Sequence, residues 1–119
     1  MKTSARNQFP GKVMAVRTGA VNDEIDIQVA NGPRIAAIVT SESTKTLGLR
    51  EGVSVTALVK SSSVLVATDL QGVKLSARNQ FAGTVTAVQP GAVISEVTLD
   101  LGGGSSITAI VTQASADAL

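Results

Sequence analysis

The sequence predicts an all-β protein: two tandem copies of one small module, each a curled barrel of five short strands with one short helix. Three observations carry that expectation. A shift of 72 residues aligns Thr3–Leu47 with Leu75–Leu119 without a gap, and 22 of the 45 pairs are identical, so the chain is a tandem duplication. Apolar and polar residues alternate with a period of two between Gly-containing turns. Hydrophobic residues make up 44% of the chain but aromatics only 2%, so the interior must be built from Val, Ile, Leu and Ala. The β-branched members of that set favour strands.

The elements follow in order. KVMAVRTGAV (residues 12–21) and its copy TVTAVQPGAV (84–93) each give an alternating strand running into a Gly turn. Glu24–Val29 alternates again, and Ala30-Asn31-Gly32 supplies hairpin chemistry, because Asn and Gly tolerate positive φ. The second copy places Gly102-Gly103-Gly104 there; this resembles a phosphate loop, but its position makes it a hairpin turn. Arg34–Thr40 is a third strand. Ser41–Leu47 is long enough for one or two helical turns, with Gly48 as the stop. Val53–Lys60 and Ser63–Thr68 form a second strand pair, and Asp69–Gly72 connects the copies.

This order, five strands with one short helix before the fourth, suggests an OB-like barrel. The modules span residues 1–70 and 71–119. The second stops where the first has Leu47, so in this chain it lacks its last two strands. A three-stranded remnant exposes an apolar edge. That edge requires either further chain or cover from another chain.

Composition excludes several functions. A net charge of +1 gives no global field to recruit nucleic acid or an anionic membrane. Without Cys or His there is no disulfide framework, thiolate metal site or histidine base. The N-terminus has no apolar signal core, and no segment approaches 18 apolar residues, which points to a cytoplasmic protein.

SARNQF occurs at Ser4–Phe9 and again at Ser76–Phe81. Along an extended chain Ser4 and Arg6 face one side, Ala5 and Asn7 the other. Other solvent-facing pairs have drifted, among them Arg17/Gln89, Asp26/Thr98 and Lys45/Asp117, while SARN kept every polar atom. That contrast favours a site over a merely solvated strand. Phe9 and Phe81 belong to the core, and Asn7 and Asn79 are turn or interface hydrogen-bonders.

SARNQF, GAVN at Gly19–Asn22, AAIVTSES at Ala36–Ser43 and VTALVKSSSVLVATD at Val55–Asp69 resemble the molbindin (Mop, TOBE-type) family of molybdate-binding proteins, in its tandem form. The resemblance implies oxyanion ligands at Ser4, Arg6, Thr40, Ser43 and Lys60, with Ser76, Arg78, Thr112 and Ser115 matching in the second copy. No residue matches Lys60 there. It also implies sites between modules, and a homo-oligomer, a trimer of tandem chains.

The chemistry of those residue types fits the implied ligand. Molybdate and tungstate are tetrahedral dianions whose oxygens only accept hydrogen bonds. Arg offers a fork of donors and a permanent charge, Lys a compact charge, and hydroxyls adapt as donors. Charge-assisted bonds contribute about 1.5–3 kcal/mol each, enough in combination for micromolar binding. No metal needs direct coordination by protein atoms.

An enzyme is not expected, since Glu24 and Glu96 have no acid/base partner nearby in sequence and read as strand residues paired with Lys or Arg. Nucleic-acid binding by an OB barrel needs a basic groove and stacking aromatics, and the chain has neither. The expected role is storage, buffering or delivery of the oxyanion. The alternative is a molybdate-sensing effector domain of a regulator or transporter subunit, against which stands the lack of a helix-turn-helix or Walker pattern.

Overall fold

A computed structural model describes all of residues 1–119. The chain packs as two compact units, one made of residues 9–57 and the other of residues 1–8 with 58–119. Repeat boundaries and packing boundaries are different things: the repeat marks what was duplicated, the units mark what packs together.

The first unit is built on β1 (Asn7–Arg17) from Phe9 onward, β2 (Asn22–Val29), β3 (Arg34–Thr40) and β4 (Ser54–Val59) as far as Ala57, strands that lie in the sheet order β3-β2-β1-β4. Along β2 the alternation of apolar and polar residues becomes an alternation of burial, with Ile25, Ile27 and Val29 inside. Phe9, Val13 and Ile35 complete this core. The β1–β2 register slips between Val13 and Ala15, a bulge that bends the strand and curls the sheet. Asn31 closes the β2–β3 hairpin with φ 55°, as its residue type predicts.

Helix α1 (Ser41–Thr46) follows β3 directly. It ends in a Schellman motif: Gly48 at φ 63° donates to the Lys45 carbonyl (3.1 Å), and the Leu49 N–H donates to Thr44 (2.9 Å). Gly48 is the stop its sequence position predicts.

The second unit carries β5 (Thr84–Gln89), β6 (Ile94–Gly102) and β7 (Ser105–Thr112) as a sheet in that order, then helix α2 (Gln113–Ala118). The duplicated bulge recurs between Val85 and Ala87. Val97, Ile107 and Ala109 are buried here, together with the polar Asn7, Ser61 and Ser95. Gly102, Gly103 and Gly104 all have positive φ and turn β6 into β7, a hairpin as expected.

Two expectations are corrected. The predicted strand Ser63–Thr68 does not form; Ser61–Ser63 make a single 3-10 turn and residues 64–83 hold no strand. An alternating segment becomes a strand only when a ladder partner takes its N–H and C=O groups. None is hydrogen-bonded to it here, and Leu65 is 91% exposed. The second SARNQF lies in the same strand-free stretch, so Phe81 is half-buried whereas Phe9 is 3% exposed.

The edge strand β7 is not left bare. The 3-10 turn at Ser61–Ser63 packs against it, and Asn7 bonds to its main chain, so cover comes from this chain's own first repeat. No helix is long and apolar enough to cross a membrane.

Candidate functional site

The two strand-to-helix turns are built alike. Thr40 is the N-cap of α1 in extended backbone (φ −69°, ψ 149°), and its Oγ1 accepts from the Ser43 N–H at 3.0 Å. Thr112 caps α2 the same way (φ −68°, ψ 152°), accepting from Ser115 at 3.1 Å. In each turn the Thr hydroxyl then donates to the Ser hydroxyl at 2.8 Å. With its own oxygen accepting, each Ser hydroxyl must send its proton elsewhere, and an incoming oxygen is a suitable acceptor. Capping and ligation are therefore compatible in both turns.

Behind the turns the copies diverge. Asp23 is buried and accepts from the Gly19 N–H (3.1 Å) and the Ser41 hydroxyl (2.9 Å), tying the Gly turn to the start of α1. Its carboxyl is held below the ordinary value, first by the Thr44 hydroxyl, then by Gly19, with Ser41 and the Lys45 charge adding to them against burial. The repeat-equivalent pair is Ser95 and Gln113, and the buried Ser95 hydroxyl donates to the Gln113 carbonyl oxygen. A neutral pair does for α2 what a charged one does for α1.

The first SARN segment docks on the second unit's sheet. Asn7 is 3% exposed, its amide donating to the Thr108 carbonyl and accepting from the Thr108 N–H, each at 2.8 Å. Arg6 forks onto Glu96 of β6, Nη1 to Oε1 and Nη2 to Oε2, the latter at 3.3 Å. Burial alternates along the segment as expected, with Ser4 and Arg6 exposed, Ala5 half-covered and Asn7 buried. In the other copy Glu24 meets Arg17 at 2.9 Å, and Asp26 meets the same guanidinium nitrogen at 2.6 Å. Asp26 above all, then Glu24, raises the Arg17 pKa. Both retained glutamates are thus paired with arginines.

Lys60 is exposed and leads into the 3-10 turn that packs on β7. One compact unit therefore contains Ser4, Arg6, Lys60, Ser76, Arg78, Thr112 and Ser115, while Thr40 and Ser43 belong to the other. Ser76 and Arg78 are exposed on the strand-free stretch. The unit that holds the second copy's turn thus also holds Lys60 of the first copy. Asn7, Glu96 and Asp23 were not among the sequence-derived site residues; Asn7 and Glu96 carried a signal in their retention between the copies, and Asp23, which is Ser95 in the second copy, carried none. No group of three or more His, Cys, Asp or Glu is placed to hold a metal ion.

Comparison with known proteins agrees with this architecture. The TOBE domain profile matches residues 3–66 and 75–119. Over all 119 residues the chain is 48% identical to the molybdenum transport protein ModE of Herbaspirillum seropedicae, covering 44% of that protein. It is 42% identical to the molybdenum-pterin-binding protein MopA of Rhodobacter capsulatus, covering 45% of it. The chain thus spans less than half the length of these relatives. Among solved structures, the cytoplasmic molybdate-binding protein ModG, crystallised with molybdate bound, superposes with a TM-score of 0.95 at 49% identity, over 99% of this chain and 84% of that one. MopII from Clostridium pasteurianum, in an apo form, matches 56% of this chain over its own whole length, with a TM-score of 0.54 and 39% identity. With matches across both copies and along the whole chain, the protein belongs to the TOBE domain family, in the tandem form of the Mop-type molbindins.

Proposed function

We propose that this chain binds molybdate or tungstate as an intact tetrahedral dianion, held by hydrogen bonds and cationic side chains. The observation that carries this reading is the whole-chain likeness to molybdate-bound ModG. The donors supplied by the second unit support it. Thr112 and Ser115 form a turn with a hydroxyl proton to give, Lys60 adds a compact charge, and Ser4 and Arg6 add a hydroxyl and a guanidinium. Thr40 and Ser43 are the matching turn of the other unit. With Ser76 and Arg78 they complete further sites against other copies of the chain.

The assembly in this reading is a homo-oligomer, a trimer of tandem chains. Large apolar side chains stand exposed at repeat-equivalent positions, Val21 (70%) and Val93 (76%), with Ile38 at 65% and Leu65 at 91%. Such surface is the kind that association buries. The role is cytoplasmic storage, buffering or delivery of the oxyanion, with no chemical step: Glu24 and Glu96, the retained acids, are engaged by arginines.

A second reading has its own support. The chain matches part of ModE, including the transcriptional regulator ModE of Yersinia pestis at 36% identity over 110 residues. In that reading the same anion site is the effector domain of a longer sensor.

Titration calorimetry with molybdate, tungstate, sulfate and phosphate tests the binding claim common to both. Molybdate and tungstate should release heat and raise the melting temperature. At a hundredfold excess over Kd the native state gains about 2.7 kcal/mol. Absence of heat and of any melting shift with molybdate contradicts the proposal.

A further inference from the structure

We infer that Glu96 is a built-in competitor for the oxyanion at Arg6, a carboxylate that occupies the guanidinium fork until a dianion displaces it. The inference rests on the oxyanion-binding reading and deepens it, adding a residue that sets affinity. Arg6 and Glu96 pair through the two terminal guanidinium nitrogens and both carboxylate oxygens. That two-on-two arrangement is the one through which Arg also grips tetrahedral oxyanions, so the carboxylate imitates the ligand. Next along the chain, Asn7 is buried and bonded on both sides to Thr108. The backbone bearing Arg6 is therefore held, and exchange requires only side-chain motion.

Comparison of the copies explains why Glu96 is available. In the first, Arg17 stands opposite Glu24 on the neighbouring strand and binds it. In the second, the residue opposite Glu96 is Gln89, which carries no charge. The change from Arg to Gln leaves the Glu96 carboxylate without a cross-strand cation, and Arg6 supplies the cation instead. The pair is open to solvent, with Arg6 52% and Glu96 30% exposed, so its hold is weak and an arriving dianion can break it. Its effect on affinity is severalfold rather than of many orders.

Two variants test this by molybdate calorimetry beside the wild type. Glu96→Gln removes the competing charge while leaving an acceptor for Arg6. Gln89→Arg gives Glu96 a cross-strand cation of the kind Glu24 has. Both should bind molybdate about two- to fivefold more tightly. A purely structural role for the ion pair predicts the opposite for Glu96→Gln, since loosening the docked segment weakens binding. If the wild type binds molybdate and neither variant binds it more tightly, the competitor role is overturned while the oxyanion-binding reading stands. If the wild type itself binds none, the reading fails and the inference with it.

Discussion

The carboxamide of Asn7 and the main chain of Thr108, 101 positions apart, form a closed two-bond ring in which one side chain does the work of a strand neighbour. A β7 edge residue would otherwise present an unpaired N–H and C=O. Removing the amide by Asn7→Ala strands both groups and should cost about 2–4 kcal/mol, measured by chemical denaturation. That is a large share of the stability of a small protein. Unchanged stability would mean that the ring does not hold the first SARN segment in place.

Asp23 makes acid stability a local matter. Its folded-state pKa lies below the ordinary 3.8, so its contribution is complete above that value and is lost as pH falls through the lowered folded one. Asp23→Asn should flatten the stability profile below pH 3.8, followed by circular dichroism. Ser95→Ala, at the neutral counterpart, should leave the slope in that window unchanged.

The caps at Thr40 and Thr112 join stability to binding. Thr112→Val deletes the oxygen that accepts from Ser115 N and donates to Ser115 Oγ, and should cost about 1 kcal/mol. It should also weaken molybdate binding, because the Ser115 hydroxyl loses the donor that orients it. Thr112→Ser keeps the oxygen and should stay near wild type in both melting temperature and calorimetric affinity.

Lys60 separates the two properties. It is exposed, and its side chain makes no cap bond to the 3-10 turn it precedes. Lys60→Met should therefore melt as the wild type does but bind molybdate at least tenfold more weakly, equivalent to about 1.4 kcal/mol. Equal affinity would make Lys60 a solvated strand end.

How far the sequence carried depended on the range of the forces involved. β2, β3, the Asn31 hairpin and the Thr40-to-Gly48 helix were legible, because alternation, capping and positive φ are local properties. Ser63–Thr68 was misread for a related reason: its alternation is that of a strand, but a strand also needs a ladder neighbour, which no local pattern reports. The bulges at Val13/Ala15 and Val85/Ala87 have no marker residue such as Gly and were invisible. Of the candidate site, the residue types of the Thr–Ser turns and SARN could be read directly. What they touch could not, since Asn7 with Thr108 and Arg6 with Glu96 are partners of distant sequence. Retention of Glu96 beside changed neighbours was the only trace of its pairing.

The most direct measurement is a molybdenum anomalous difference map from crystals grown with molybdate. A peak is expected within hydrogen-bonding reach of the Lys60 ammonium and the Thr112–Ser115 hydroxyls, with Arg6 turned from Glu96 towards it. Bound molybdenum placed away from Lys60 and from both Thr–Ser turns would contradict it.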